Sequence, residues 1–518
     1  MIMKPLRTAK KKVGLILKIC KGILFISKQI LINSNKPLPL QVKILQAMRS
    51  EIYFDKLNSS LLNQVKLWNA VFNTSLQYTL LQNYSRPSRS QGNEDSPEFE
   101  VLEFHERPFG VNLIGHAFDM FGIGEDIRMT AKSLQSAGIP ICVIDHPARN
   151  GAGKAENDLD LLLNSNSNGG PYAFNIICMT AEIHARWILE SGFNPLKNRF
   201  NIAYWPWETQ TWPIAWGAML ETVDAIWSSS SFTMEALYQP AKQIGIPISL
   251  LPLAAQISNN TNNINKTERN KIRTYYGLPV ESILFQCGFD INSSLARKNP
   301  MGSIEAFTRA FPKYSHTGYV ASNAVKNYSN KVALLIKTFP QKTSNAAWNQ
   351  LQDYAKNDDR IYLLAENLER KEAFALSSCC DAFLSMHRSE GYGRYLAEAL
   401  QLGIDVIATN FGGNIDFCYG PLYHPVDFEK VHIKEGEYPL AKGHLWAEPN
   451  LNQAVKQMRK VVSRRLDNEN SMDPGQNPAI IHQYRQQFSF EKIGVLYKKE
   501  LERLWSNRKI LNEKLRFK

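Results

Sequence analysis

The stretch Asp381–Asn414, DAFLSMHRSEGYGRYLAEALQLGIDVIATNFGGN, admits few folds. Ala382 to Ser385 reads as a buried strand, followed by a turn and a crossing helix. Asp405 to Ala408 reads as a second strand, ahead of a Gly412-Gly413-Asn414 loop. Strand, helix and strand in that order make a parallel pair, so the chain is an α/β protein. Gly391 and Gly393 flank the helix start, where backbone N–H groups without a Cβ in the way can face an anion. Glu390 stands in the turn and Glu398 on the helix. Eight residues of helix rise roughly 12 Å, whereas hydrolase carboxylate pairs sit roughly 5–9.5 Å apart. The spacing suits two contacts on one elongated ligand, one near a sugar and one near a ribose, with a diphosphate between them.

At 518 residues the chain is too long for one core, and two or three domains are expected. Its seven cysteines show no Cys-x-x-Cys spacing and lie mostly in apolar runs, which reads as reduced core thiols in a cytoplasmic protein. Residues 1–50 hold +11 of the formal +12 charge. The remainder is nearly neutral, so nucleic acid is not an expected partner.

From the N-terminus, residues 4–32 form a basic, apolar stretch with lysines at near-helical spacing. Lysines interrupt it well short of the ~20 apolar residues of a membrane span. It reads either as a helix lying peripherally on an anionic cytoplasmic membrane face, or as a helix packed on the protein with its lysines in water. Residues 38–83 read as two further helices without an assignable motif, and residues 85–98 as a polar linker. Residues 1–100 are thus a basic helical extension, and residues 109–258 a first Rossmann-like domain. In that domain a strand Val111–Ile114 ends at Gly115-His116, and a loop carrying Gly122, Gly124 and Glu125 leads into a helix. No G-x-G-x-x-G fingerprint is met, although Asp145 falls where a ribose-binding acid of a dinucleotide enzyme would.

Further strands are expected at Phe174–Met179, Ile202–Trp205, Ala225–Trp227 and Ile248–Leu251. The segment YWPWETQTWPIAW (204–216) sets four tryptophans and Glu208 at a strand's carboxyl end, where ligand crevices of open α/β sheets lie. Aromatic faces there suit a sugar acceptor and equally suit packing. A polar break, NNTNNINK, precedes a second Rossmann-like domain, residues 270–480, and residues 481–518 hold a C-terminal helix. In GFDINSSLARKNP, Arg297 and Lys298 occupy a strand-to-helix loop from which cations can stabilise a departing diphosphate. Asp158-Leu-Asp160 imitates a metal-binding pair but sits in a polar, loop-like run, and no metal is expected.

Glu390-Gly-Tyr-Gly-Arg-Tyr-Leu-Ala-Glu398 resembles the E-x7-E element of retaining, nucleotide-sugar-dependent glycosyltransferases of the GT-B fold, close to the GT4 group. GVNLIGH…GIGED, YWPWE and SSLARKNP are similar to the same group, over roughly residues 109–506. The resemblance implies two Rossmann-like domains facing each other across a cleft, with the C-terminal helix crossing back onto the first. It implies a UDP- or GDP-sugar donor, a glycan or lipid-linked acceptor and a role in bacterial surface polysaccharide synthesis. On the donor side it implies Glu390 beside the sugar, Glu398 on the ribose and Lys298 on the phosphates. Arg297, Ser293, Gly391, Tyr392, Gly393, Gly413 and Asn414 would line the rest of that side. His116 would stand near the reacting sugar, and Gly122, Gly124, Glu125, Trp205 and Glu208 would lie on the acceptor side. The sequence departs from the group twice. Arg394 replaces an apolar residue, and Asn292 stands where the group carries a phosphate-binding Arg, which leaves Arg297 or the Ser293 and Ser294 hydroxyls to take that role. A dinucleotide enzyme and an inactive sugar-binding scaffold are the alternatives.

Overall fold

In a computed structural model, the described residues are 102–148, 158–164, 169–257, 264–291, 293–313, 328–341, 346–467 and 474–517. The basic stretch 4–32, the helices read in 38–83, the linker 85–98, Asn292 and most of NNTNNINK lie outside them.

Two six-stranded sheets carry the fold, each with every recorded strand pair parallel. The first has the order β2-β1-β3-β4-β5-β6. Its strands are β1 (Val111–Gly115), β2 (Ile141–Asp145), β3 (Phe174–Cys178), β4 (Phe200–Ala203), β5 (Ala225–Ser228) and β6 (Ile248–Leu250). The second has the order β12-β11-β10-β7-β8-β9. It comprises β7 (Ile283–Gly288), β8 (Val332–Thr338), β9 (Ile361–Ala365), β10 (Ala382–Ser385), β11 (Asp405–Thr409) and β12 (Tyr423–Val426). Helices cover both faces, so β1, β3, β4, β5 and β11 are buried along their whole length. That is why they read as continuous apolar runs rather than alternating ones.

Three details differ from the sequence expectation. The fourth strand is Phe200–Ala203 rather than Ile202–Trp205; Pro206, with no N–H to donate, stands just beyond. Gly122 to Glu125 form the first turn of the Gly122–Ser136 helix, not a loop before it. After Asn414 the sequence pattern is loose, yet β13 (Phe428–His432) and β14 (Leu445–Pro449) pair antiparallel. β13 is largely exposed and carries Glu, Lys and His, so no alternation marked it.

The chain passes between the sheets through Leu251–Ile257, which has no secondary structure of its own. Its buried carbonyls need donors from elsewhere, and six in a row receive one from a side chain. Tyr204 donates to Leu251 O at 2.6 Å, Tyr497 to Pro252 O at 2.9 Å and Tyr392 to Leu253 O at 2.6 Å. Arg394 donates to Ala254 O at 3.1 Å, Gln401 to Ala255 O at 2.9 Å and Arg370 to Gln256 O at 2.8 Å. Those donors come from both sheets' surroundings and from the Phe490–Ser506 helix. That helix packs on the Gly122–Ser136 helix, and beside its end Trp505 meets Phe104, Phe109 and Phe174 with ring centroids 6.0, 5.6 and 6.1 Å away.

Candidate active site

The residues singled out in the sequence follow the carboxyl ends of the strands: His116 after β1, Glu208 after β4, Arg297 and Lys298 after β7, Glu390 to Gly393 after β10, and Gly413 and Asn414 after β11. Contacts show that the two sets of ends face each other. Ser230, which caps the Ser231–Gln243 helix, donates to Gly391 O at 2.5 Å. The Ser231 N–H donates to Asp416 Oδ2 at 2.6 Å, and a Cβ on Gly391 would lie 2.8 Å from Trp207 O.

Ser294 accepts the Arg297 N–H at 3.2 Å and starts the short Leu295–Lys298 helix, which delivers two cations side by side. Asn299, in the left-handed region at φ 47°, then starts the Pro300–Ala310 helix by accepting the Gly302 N–H at 3.1 Å. Lys298 Nζ lies 2.5 Å from Glu390 Oε1, and Arg297 Nη1 lies 3.2 Å from Glu390 Oε2. Arg297 also donates to Ser389 O and to Ser293 Oγ, each at 3.0 Å. Burial pushes the Glu390 carboxyl up, but Lys298 and Arg297 outweigh it and hold the group down at about 2. Burial lowers the Arg297 pKa, while Glu208 and Glu390 more than reverse that. Both stay charged across the physiological range.

Two glycine contacts shape this turn. Gly393 adopts φ 94°, which turns the chain into the Arg394–Gln401 helix and which a side chain rarely permits. Gly413 lies so close to the turn that a Cβ would meet Gly391 O at 2.0 Å, and its N–H donates to Glu390 O at 2.7 Å. Several buried polar atoms around the turn have no hydrogen-bond partner among the described residues: Arg297 Nε, Ser389 Oγ and Asn414 Oδ1. Orphaned buried groups are costly unless something satisfies them.

A second charge group lies where the Gly122–Ser136 helix meets the second domain. Asp126 pairs with Arg394, and Glu125 pairs with both Arg370 and Arg128. Glu398 sits among these cations. Burial raises its pKa, and Arg370 and Arg394 lower it in part. His116 stands on the first-domain side, 1% exposed, with Asp119 3.5 Å away. Its ring is flanked by Phe121 and His146 at 5.1 and 5.5 Å, and its Nδ1 faces the Asp119 carboxylate. Burial lowers its pKa, against the opposing pull of Asp119.

Two assigned side chains are engaged elsewhere. Trp205 is 1% exposed and stacks on Trp212 at 5.6 Å, so its face is covered rather than offered to an acceptor; Trp207 and Trp216 complete the same buried cluster. Tyr392 gives its hydroxyl to Leu253 O and its ring to Phe417, so any ligand contact there falls to its backbone. Glu208, expected on the acceptor side, lies 3.7 Å from Arg297 and accepts the Tyr438 hydroxyl. Asp145 accepts the Ala117 N–H at 3.0 Å, a structural duty that removes the motive for a dinucleotide reading. Asp126, Arg370 and Tyr438 were missed. Arg394, a cation where the resemblance has an apolar residue, was the available hint that an acid lay opposite. Asp158-Leu-Asp160 falls in a 3-10 turn, Asp158–Leu162. Among the described residues no group of three or more His, Cys, Asp or Glu could hold a metal ion.

No protein-family model and no curated protein matches the sequence. Solved structures do match. The glycosyltransferase from Rickettsia africae ESF-5 superposes with a TM-score of 0.52 at 14% identity, covering 77% of this chain and 99% of that one. HepE from Anabaena, solved with UDP-glucose, gives 0.51 at 10% identity, covering 77% and 100%. The fold is GT-B. The catalytic domain of starch synthase IV from Arabidopsis thaliana, another structure of this kind, gives 0.51 at 10% identity, covering 77% and 99%. In GT-B terms, the charge group around Arg297 lies between the two Rossmann-like lobes. Among the described residues no helix is long and apolar enough to cross a membrane.

Proposed function

We propose that the protein is a retaining, metal-independent glycosyltransferase that moves a hexose from a nucleoside diphosphate sugar to a glycan or lipid-linked acceptor. Residues 109–258 would present the acceptor and residues 270–480 the donor. The observation that carries this reading is the meeting of Arg297, Lys298 and Glu390 at a glycine-framed turn that faces the other lobe. HepE was solved with UDP-glucose at the same fold, which favours a nucleotide-sugar donor here.

In this account the diphosphate lies against Gly391 to Gly393 and the start of the Arg394–Gln401 helix. Arg297 Nε, buried without a partner, and Lys298 Nζ take its oxygens. Arg297 thereby fills the role left open at Asn292. As the bond from the anomeric carbon to the diphosphate breaks, the diphosphate keeps the electron pair and the two cations stabilise it. The acceptor oxygen forms its bond on the same face, and its proton leaves on the departing phosphate. Glu390, ionised beside them, steadies the positive charge on the sugar. Glu398 holds the ribose, and His116 stands near the reacting sugar. Closed lobes exclude water that would otherwise hydrolyse the donor. The basic stretch 4–32 would hold the enzyme at an anionic membrane surface, in keeping with a lipid-linked acceptor of surface polysaccharide assembly.

A thermal-shift screen of UDP, GDP and their sugars tests the reading, since a ligand of the folded state alone raises its stability. The donor found should then yield free nucleoside diphosphate and a product of unchanged anomeric configuration. A screen in which NAD stabilises and no nucleoside diphosphate does would refute it.

A further inference from the structure

Glu208 belongs to the first lobe, yet its carboxylate sits at the second lobe's cations. One oxygen lies 3.7 Å from Arg297 Nη2, the other accepts the Tyr438 hydroxyl, and a Cβ on Gly391 would touch Glu208 Cγ at 3.3 Å. Glu208 therefore lies against the glycine turn assigned above to the donor diphosphate. The charges there are balanced: Arg297 and Lys298 against Glu208 and Glu390. A diphosphate brings at least two more negative charges, and in a buried, weakly screened site Arg297 and Lys298 cannot neutralise it together with both carboxylates. One carboxylate has to yield. Glu390 is fixed by two close cation contacts within its own lobe. Glu208 makes the longer contact, its side chain is 22% exposed, and it crosses from the opposite lobe.

We infer that Glu208 is a built-in counter-ion for the cations of the diphosphate site, displaced when the donor binds, and that Tyr438 is the positioning residue that holds it there. The inference rests on the donor reading above. Tyr438 lies in the segment between β13 and β14, and that segment is tied to the cation loop, because Ser294 Oγ donates to Glu437 O at 2.7 Å. The Tyr438 ring packs on Trp207 at 5.6 Å and under the Arg297 guanidinium at 6.0 Å. The hydroxyl is thus fixed relative to both the carboxylate and the cation. Once displaced, the Glu208 carboxyl oxygens are free to accept a hydrogen bond from an acceptor hydroxyl.

Calorimetric titration of the full chain with UDP, GDP, inorganic pyrophosphate and the free nucleosides tests this, alongside Glu208→Gln and Tyr438→Phe. Glu208→Gln should bind pyrophosphate and the cognate nucleoside diphosphate about tenfold more tightly, a change of about 1.4 kcal/mol, with nucleoside binding unchanged. Tyr438→Phe should tighten the same ligands by a smaller factor. A merely structural role would weaken binding of all of them. If the wild type binds diphosphate and folded Glu208→Gln binds it equally or more weakly, the counter-ion role is overturned while the donor reading stands. If Glu208→Gln does not fold, Tyr438→Phe decides: tighter diphosphate binding supports the inference, and unchanged or weaker binding overturns it. If no diphosphate binds any form, the donor reading fails, and the inference with it.

Discussion

Replacing Arg394 by leucine, the apolar type that the resemblance expects there, should loosen the two lobes by an amount that depends on pH. Arg394 pairs with Asp126 across the lobes, with side chains 15% and 20% exposed, and also donates to Ala254 O. Removing one member of such a pair leaves the other charge buried, typically at a cost of about 3–5 kcal/mol. Asp126 has an escape, because burial already raises its pKa and Arg394 is the leading opposing influence. Without Arg394 the carboxyl titrates higher still, so the folded protein holds a proton that the unfolded chain releases. An acid with a raised folded pKa loses stability as pH rises from its unfolded to its folded value. The variant should therefore lose about 3 kcal/mol at pH 8 and about 1–2 kcal/mol less than that at pH 5. In a double-mutant cycle with Asp126→Asn, read from urea midpoints at both pH values, the coupling should be about 2 kcal/mol at pH 8. Additivity within about 0.5 kcal/mol, or an equal cost at both pH values, would refute the argument.

Other outcomes follow from the same geometry. Glu390, held at about 2 against an ordinary 4.5, supplies stability that is present above pH 4.5 and lost as pH falls toward 2. That amounts to about 3 kcal/mol, and acid titration of Glu390→Gln beside the wild type should show the variant lacking that dependence. Tyr392→Phe leaves Leu253 O without its donor and should cost about 1–2 kcal/mol of stability, measured by denaturation, while diphosphate affinity stays within about twofold. Gly413→Ala would force a methyl to within 2.0 Å of Gly391 O. Transfer should fall by more than tenfold in an initial-rate assay, with the protein still folded by circular dichroism.

The strand–helix–strand order was legible because buried parallel strands are written as apolar runs, and β1, β10 and β11 lay within a residue of where those runs placed them. That Arg297, Lys298 and Glu390 meet was legible, since all three follow apolar strands whose carboxyl ends lie on one edge of a parallel sheet. What was hidden is what depends on distant chain segments meeting. Glu208 and Arg297 meet across 89 residues of sequence, and nothing near either one announces the other. Tyr392 and Trp205 looked like ligand contacts because aromatic side chains serve packing and recognition equally well. Only the neighbours, Leu253 O in one case and Trp212 in the other, decided between the two. The six carbonyls of Leu251 to Gln256 had no local signal at all, because their donors come from six separate residues spread from 204 to 497.

The most direct test compares nucleoside diphosphate binding by the wild type and Lys298→Ala, with the free nucleoside as the internal control. The account predicts that the diphosphate loses at least about tenfold in affinity, the worth of one charge-assisted contact, while the nucleoside binds as before. Equal affinity of both proteins for the diphosphate would contradict it.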